Sequence, residues 1–378
     1  MSESLFGEKK LGFGLMRLPL KDVNDSGSID TEEMCRMVDM FLDRGFTYFD
    51  TAWMYCDYKS ENAVKTCITD RHQRDKYTIT TKLHAGYLKT EDDRDRIFNT
   101  QLEKTGAGYF DYYLLHDMGR RNFEVYERLN CFEWIAEKKR RGEIRHMGFS
   151  FHDNADFLDE VLTKHPEMEF VQLQINYLDW ENAGIQSHKC HDVAAKHGKP
   201  VIVMEPVKGG TLANVPAGVQ KLYRDYNPDA SIPSWAIRFA ASQPQVKLVL
   251  SGMSNMQQLD DNTSYMQDFK PLSEEELSLI WKAVNIINEG VAIPCTACSY
   301  CTDGCPMNIP IPKYFSLYNA ELQEIPDKDF TVQSNYYERL TQTFGAADAC
   351  IECGQCENIC PQHLPIRKYL KDVAKMFG

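Results

Sequence analysis

The sequence predicts an α/β chain: a closed (β/α)8 barrel over residues 1–290, then a small α-helical domain over 291–378 that holds metal clusters. Three observations carry that prediction. Strand-like and helix-like segments alternate eight times within about 260 residues, the pattern of a parallel sheet closing on itself as a TIM barrel. Ionisable residues recur at the C-terminal ends of successive strands, where such a barrel builds its site. Eight of the thirteen cysteines lie beyond residue 290, in two runs of identical spacing.

The elements follow in order. Leu11–Met16 is a short apolar strand, and 31–44 an amphipathic helix stopped by Gly45. Strand 47–50 leads to a helix from about Ser60, strand 77–82 to a helix across 92–104, and strand 109–116 to a helix over 124–141 ended by Gly142. Strand 144–151 precedes helix 155–165, strand 170–177 precedes helix 183–197, and strand 200–204 precedes helices within 217–242. Strand 246–251 is followed by a helix from about Asn255. Ser273 with Glu276 forms a capping box that opens one more helix, to about Ile287. An open doubly wound sheet is the alternative, but no G-x-G-x-x-G follows the first strand.

Composition narrows the function classes. The chain is 43% hydrophobic and 26% charged, ordinary for a globular protein. A net charge of −13 disfavours nucleic acid or an anionic membrane as partner. No apolar run reaches membrane-spanning length and the first residues hold no signal-peptide core, so a cytoplasmic location is expected. Cys35, Cys56, Cys67, Cys131 and Cys190 are scattered singly, and a reducing compartment argues against a disulfide framework.

The tail cysteines are the most specific signal. Cys295, Cys298, Cys301 and Cys305-Pro306 repeat as Cys350, Cys353, Cys356 and Cys360-Pro361, the C-x2-C-x2-C-x3-C-P run of [4Fe–4S] proteins. Three thiolates spaced by two residues wrap one cube, and the fourth reaches the other cube. One cluster is therefore expected on Cys295, Cys298, Cys301 and Cys360, and the other on Cys350, Cys353, Cys356 and Cys305. Zinc prefers paired C-x2-C units and fits this spacing poorly. The segments 313–322 and 335–344 look helical, giving a two-cluster, ferredoxin-like module with more helix than a compact ferredoxin.

In the barrel, Asp50 ends one strand, Tyr55 follows in a loop, Lys82 ends the next strand and His116 the one after. Any one of them could be a routine polar strand end; four in order point to a site. Together with LGFGLMRLP at the start, FDTAWMY, GFS at 148–150, QLQIN at 172–176, EPVKGG at 205–210 and SGMSNMQQLDDN at 251–262, they resemble the aldo-keto reductase family. The whole chain is similar to members with a C-terminal ferredoxin-type domain. The resemblance implies reduction of a small carbonyl substrate, with Tyr55 as general acid, Lys82 tuning it, Asp50 holding Lys82, and His116 orienting the substrate. A tyrosine titrates near ~10, and a neighbouring ammonium is expected to lower that value. The hydride must come from a cofactor, since no side chain supplies one.

The resemblance places NADP or NAD against Met16, Ser150, Gln172 and Asn176 on the nicotinamide side. It places Ser251, Gln258, Asp261 and Asn262 at the adenosine-phosphate loop. Phe151, Met204 and Gly252 depart from the family pattern at an asparagine, an aromatic and a phosphate-gripping lysine. Lys208 could partly replace that lysine, or be a solvated loop residue. Cys56 stands where a glycine is usual, and reads as a small buried residue. Trp53 could shape the substrate pocket or simply pack. The basic run Lys138 to Arg141, with Arg145, could dock an acidic redox protein or be a solvated helix end.

Three functions follow. The first is a pyridine-nucleotide carbonyl reductase whose clusters exchange electrons or serve structure. The second is an electron-transfer reductase in which the clusters feed single electrons to the barrel, which leaves room for a flavin. The third, least favoured because the tetrad is intact, is a non-enzymatic redox sensor.

Overall fold

The computed structural model describes residues 5–289, 291–302, 304–324 and 331–378; Gly290, where the sequence places the domain boundary, lies outside them. The strands are β1 (Leu11–Gly14), β2 (Tyr48–Asp50), β3 (Thr78–His84), β4 (Phe110–Met118), β5 (Ile144–Phe151), β6 (Phe170–Gln174), β7 (Val201–Met204) and β8 (Val246–Gly252). Each pairs in parallel with the next, and β8 pairs with β1 to close the barrel.

Strand periodicity sorts the side chains onto two faces. Phe49, Ile79, Leu115, Val171, Val203 and Val249 point outward and join the shell core beneath the helices. Tyr48, Tyr112, Leu114, Phe170, Ile202 and Leu248 point into the barrel and form a separate inner core. Phe6, from the segment preceding β1, completes it, stacking on Tyr112 at 5.2 Å and meeting Phe170 edge-on at 5.6 Å. The N-terminal end of the barrel is thus plugged by hydrophobic packing. Residues of inward parity further along the strands, Asp50, Lys82 and His116 among them, reach the C-terminal mouth.

Local differences from the sequence reading have local causes. The helix expected over 124–141 is two, Arg120–Arg128 and Cys131–Arg140, because Asn130 between them takes a left-handed backbone (φ 49°). The helix expected from 183 begins only at Ser187. The Ser273–Glu276 capping box is made in both directions and starts helix Glu274–Asn288. Cys35 and Cys67 are not separate thiols as expected but form a disulfide joining helix Thr31–Asp43 to the π-turn Lys65–Thr69.

Beyond the barrel, helices Ile311–Gln323, Val332–Thr341 and Ile366–Phe377 enclose a core of their own, with Tyr314, Phe315, Leu317, Tyr336 and Leu370 at its centre. Ile185 of the barrel joins that core. Polar contacts reinforce the junction at the barrel mouth. Arg339 donates to Asp117 Oδ1 at 2.6 Å, Arg121 pairs with Glu338 at 3.1 Å, and Lys208 lies 3.4 Å from Glu324. The cluster-bearing domain therefore sits against the same end of the barrel that carries the tetrad.

Candidate active site and cluster cavities

Lys82 is the centre of the tetrad. Its ammonium is fully buried and donates to Asp50 Oδ1 at 2.6 Å and to the Thr51 carbonyl at 2.7 Å. The Tyr55 hydroxyl stands 3.5 Å away. Burial draws Lys82 down and Asp50 up, and their mutual contact opposes the drift in both. The His116 ring meets the Tyr55 ring edge-on at 6.0 Å, and its Nδ1 is buried without a partner. Burial, then the nearby Lys82 charge, keeps His116 well below the ordinary histidine range, so it enters the site as a neutral imidazole.

Tyr55 corrects one expectation. Its pKa lies well above the ordinary value, not below it: burial dominates, and the Asp50 and Glu205 carboxylates add to it. At 3.5 Å the ammonium does not reverse this. Tyr55 is a neutral phenol, the form that can give a proton. The backbone after it is held in the left-handed region for three residues, Cys56 (φ 50°), Asp57 (φ 50°) and Tyr58 (φ 62°). Such a turn costs a non-glycine residue roughly 1–2 kcal/mol, which accounts for the glycine usual at position 56. Cys56 is buried, as expected, with Sγ 3.6 Å from the Leu15 carbonyl.

The positions proposed for a nucleotide are unevenly free. Met16 is exposed, and Gln172 Oε1 is buried with no partner, so both could meet a nicotinamide. Ser150 Oγ accepts the Asp117 amide at 2.8 Å. Asn176 is committed: its Nδ2 donates to Asp179 and to the Glu205 carbonyl, and its Oδ1 accepts two backbone amides. Ser251 accepts from Asn262, Asp261 accepts from Ser231, and Gln258 accepts from the Ser254 amide. Lys208 is not a solvated loop lysine. It is 1% exposed and donates to Asp179 at 2.9 Å, with Glu324 beyond it. Burial would lower its pKa, but Asp179 and Glu324 outweigh that and raise it. Of the ring-side positions, Met16 and Gln172 Oε1 are open and Asn176 is not, while the Lys208 cation is already neutralised.

The cluster domain encloses two hollows. One is lined by Cys295, Cys298, Cys301 and Cys360, with Ile311 and Phe315 behind them. The other is lined by Cys305, Cys350, Cys353 and Cys356, with Met307 and Leu370. Among the described residues no three His, Cys, Asp or Glu converge closely enough to hold a single ion. Four sulfurs set around an apolar hollow suit a [4Fe–4S] cube, whose corners stand apart.

Comparison with known proteins places this geometry. Residues 10–285 match the Aldo/keto reductase family, and residues 294–364 match a 4Fe-4S dicluster domain. The chain belongs to the aldo/keto reductase family. It is an oxidoreductase with an iron–sulfur domain. The uncharacterized oxidoreductase YqkF of Bacillus subtilis (strain 168) is 22% identical over 295 residues, 68% of this chain and 92% of the relative. Among solved structures, the holo form of aldo-keto reductase AKR11C1 from Bacillus halodurans shares 23% identity and a TM-score of 0.58, covering 72% of this chain and 91% of that one. An aldo-keto reductase from Klebsiella pneumoniae in complex with NADPH shares 18% identity and a TM-score of 0.56, covering 73% of this chain and 95% of that one. At these identities the structural likeness speaks for the fold.

Around this aldo/keto reductase's tetrad the structure adds residues that the sequence reading passed over. His84 ends β3, Asp117 follows His116, and His152 follows β5. The Gly86 amide donates to His84 Nδ1 at 2.9 Å, so the ring proton is on Nε2, which faces Asp117 at 3.5 Å. Burial, opposed by Asp117, brings His152 down to about 4. All three occupy strand ends, and the rule that singled out Lys82 and His116 would have found them. The basic run is internally balanced: Lys138, Lys139, Arg140, Arg141 and Arg145 each pair with a carboxylate of the barrel.

Proposed function

We propose that the barrel reduces a carbonyl group on a small organic substrate, with Tyr55 as the proton donor. The observation carrying this is the buried Lys82 held between Asp50 and the hydroxyl of a neutral Tyr55. A reduced nicotinamide, when bound, supplies the hydride. The chain's own residues do the rest. Tyr55 gives its proton to the developing alkoxide, and Lys82 stabilises the phenolate left behind until solvent reprotonates it. Asp50 fixes Lys82, and neutral His116 offers a hydrogen bond to the substrate oxygen. The test is reduction of p-nitrobenzaldehyde with NADPH and NADH by the cluster-loaded chain and its Tyr55→Phe variant. Undiminished activity in the variant would overturn the reading.

A second reading is favoured by one contact. Glu324 of the cluster domain lies against Lys208, where a nucleotide phosphate would be expected. In this reading the two clusters deliver electrons one at a time to the barrel site, through a flavin or to a substrate that accepts single electrons. Anaerobic titration with NADPH, NADH and dithionite, followed by visible and EPR spectra, separates the two. Dithionite-reduced clusters that regain their colour when substrate is added favour the second, and clusters that stay silent favour the first.

A further inference from the structure

Strand β4 carries an irregularity at the site. Its register with β5 shifts between Leu115 and Met118, so His116 and Asp117 together face Ser150. Asp117 adopts a left-handed backbone (φ 57°), unusual for a residue with a side chain. A bulge of this kind re-aims the side chains beside it, and here one neighbour is His116 of the tetrad.

Such a conformation persists only where its surroundings over-determine it. Three groups do so. The Asp117 amide donates to Ser150 Oγ at 2.8 Å, and Asn122 Nδ2 donates to the Asp117 carbonyl at 2.7 Å. The third is Arg339, on helix Val332–Thr341 of the cluster domain, whose guanidinium donates to Asp117 Oδ1 at 2.6 Å. Asn335, one turn earlier, accepts from Arg339 Nε at 3.2 Å and lies 3.3 Å from the same carboxylate oxygen. Arg339 is 6% exposed. Gly119 is needed for it to fit, because a Cβ there would collide with the guanidinium.

We propose that Arg339 is a positioning residue for the barrel's reaction: by holding Asp117 it sets the bulge that presents His116 beside Tyr55, so that the cluster-bearing domain completes the reductase site. This rests on the carbonyl-reductase reading for its kinetic consequence, but not for its structural one. The groups around Asp117 explain why a cation is needed. His84 ends β3 beside it, His116 precedes it, His152 faces it from beyond β5, and Lys82 lies behind His116. Burial alone would push the Asp117 carboxyl up; His84, His152 and Arg339 together hold it well below the usual carboxylate range. With Arg339 removed, the carboxylate has only imidazoles to draw on, which favours protonation of the buried His116 and His152.

The experiment uses the full cluster-loaded chain and three variants, Arg339→Gln, Arg339→Lys and Glu338→Gln. Glu338→Gln removes the exposed interdomain pair with Arg121 from the same helix and serves as the control for domain docking. With p-nitrobenzaldehyde and NADPH, Arg339→Gln is expected to lose kcat by about 10- to 100-fold with KM little changed, since misplacing a catalytic group by an ångström costs on that order. The acid limb of its pH profile moves to higher pH. Arg339→Lys recovers part of the rate, and Glu338→Gln matches the parent. Hydrogen–deuterium exchange of peptides covering 114–122 needs no substrate: faster exchange there in Arg339→Gln, with iron content unchanged, is the expected result. Unchanged exchange in that segment, or losses in Arg339→Gln matched by Glu338→Gln, would overturn the proposal. If the parent reduces no carbonyl, the functional reading fails, while the exchange result still decides the role of Arg339.

Discussion

Glu324 of the cluster domain stands 3.4 Å from the Lys208 ammonium, inside the mouth of the barrel. Lys208 is also bound to Asp179, so one buried cation answers two carboxylates. The pair joins the two domains and sets a negative charge where the proposed nucleotide would bring its phosphates.

Removing that charge should favour a nucleotide. Glu324→Gln is expected to tighten NADPH binding by roughly fivefold, the worth of about 1 kcal/mol for a partly solvated charge. Lys208 keeps Asp179, so the fold is retained. Fluorescence titration of NADPH against the parent and the variant at two salt concentrations measures it. Equal affinities at both would show that nucleotide phosphates do not approach this pair.

Lys82 should matter to stability as well as to chemistry. Lys82→Met leaves Asp50 buried, with its Oδ2 already lacking a partner. Stripping one member from a buried pair costs about 3–5 kcal/mol. Tyr55→Phe, by contrast, keeps the pair and should unfold close to the parent while losing activity by about 10²–10⁴-fold. Denaturant unfolding and steady-state kinetics on the two variants separate the roles. Equal destabilisation in both would mean Tyr55 also holds the pair together.

The barrel was legible because its information is local. Short strand runs such as Thr78–His84 and capping signals such as Ser273 with Glu276 speak within a few residues. That Asp50, Tyr55, Lys82 and His116 would come together was legible for the same reason, each lying at or near the C-terminal end of a strand. The contacts that complete the mouth were not. Arg339 and Asp117 are separated by 222 positions, and a solvent-type arginine on a helix gives no sign that it will be buried against a bulge. The Tyr55 pKa was misjudged because the sequence shows which charges are near but not how deeply they are buried. The Cys35–Cys67 disulfide was hidden too, since helix phase and a π-turn bring those sulfurs together.

His152 predicts a slope of stability with pH. Its folded-state value of about 4 lies below the ordinary 6.5, so the unfolded chain takes up the proton first. Stability is fully present above about pH 6.5 and is lost as pH falls toward 4, on the order of 3 kcal/mol for this one group. His152→Gln should remove that part of the slope whatever its effect on absolute stability. Urea unfolding at steps between pH 7.5 and 5 tests it. An unchanged slope would mean His152 is protonated in the folded chain, paired with Asp117.

The crossed arrangement of cysteines makes a prediction about which clusters are lost together. Cys360 ends the second run in sequence yet lines the hollow of Cys295, Cys298 and Cys301, while Cys305, which ends the first run, lines the hollow of Cys350, Cys353 and Cys356. If each hollow holds one cube, Cys360→Ser and Cys298→Ser remove the same cluster, and Cys305→Ser and Cys353→Ser remove the other. Each variant then falls from about eight irons to about four. The residual EPR signal after dithionite reduction should be common to the members of each pair and differ between the pairs. Serine can retain iron weakly, so alanine variants at the same four positions provide the stricter comparison. A Cys360 variant that shares its residual spectrum with Cys353 instead of Cys298 would show that each run binds its own cube and that the hollows rearrange on loading.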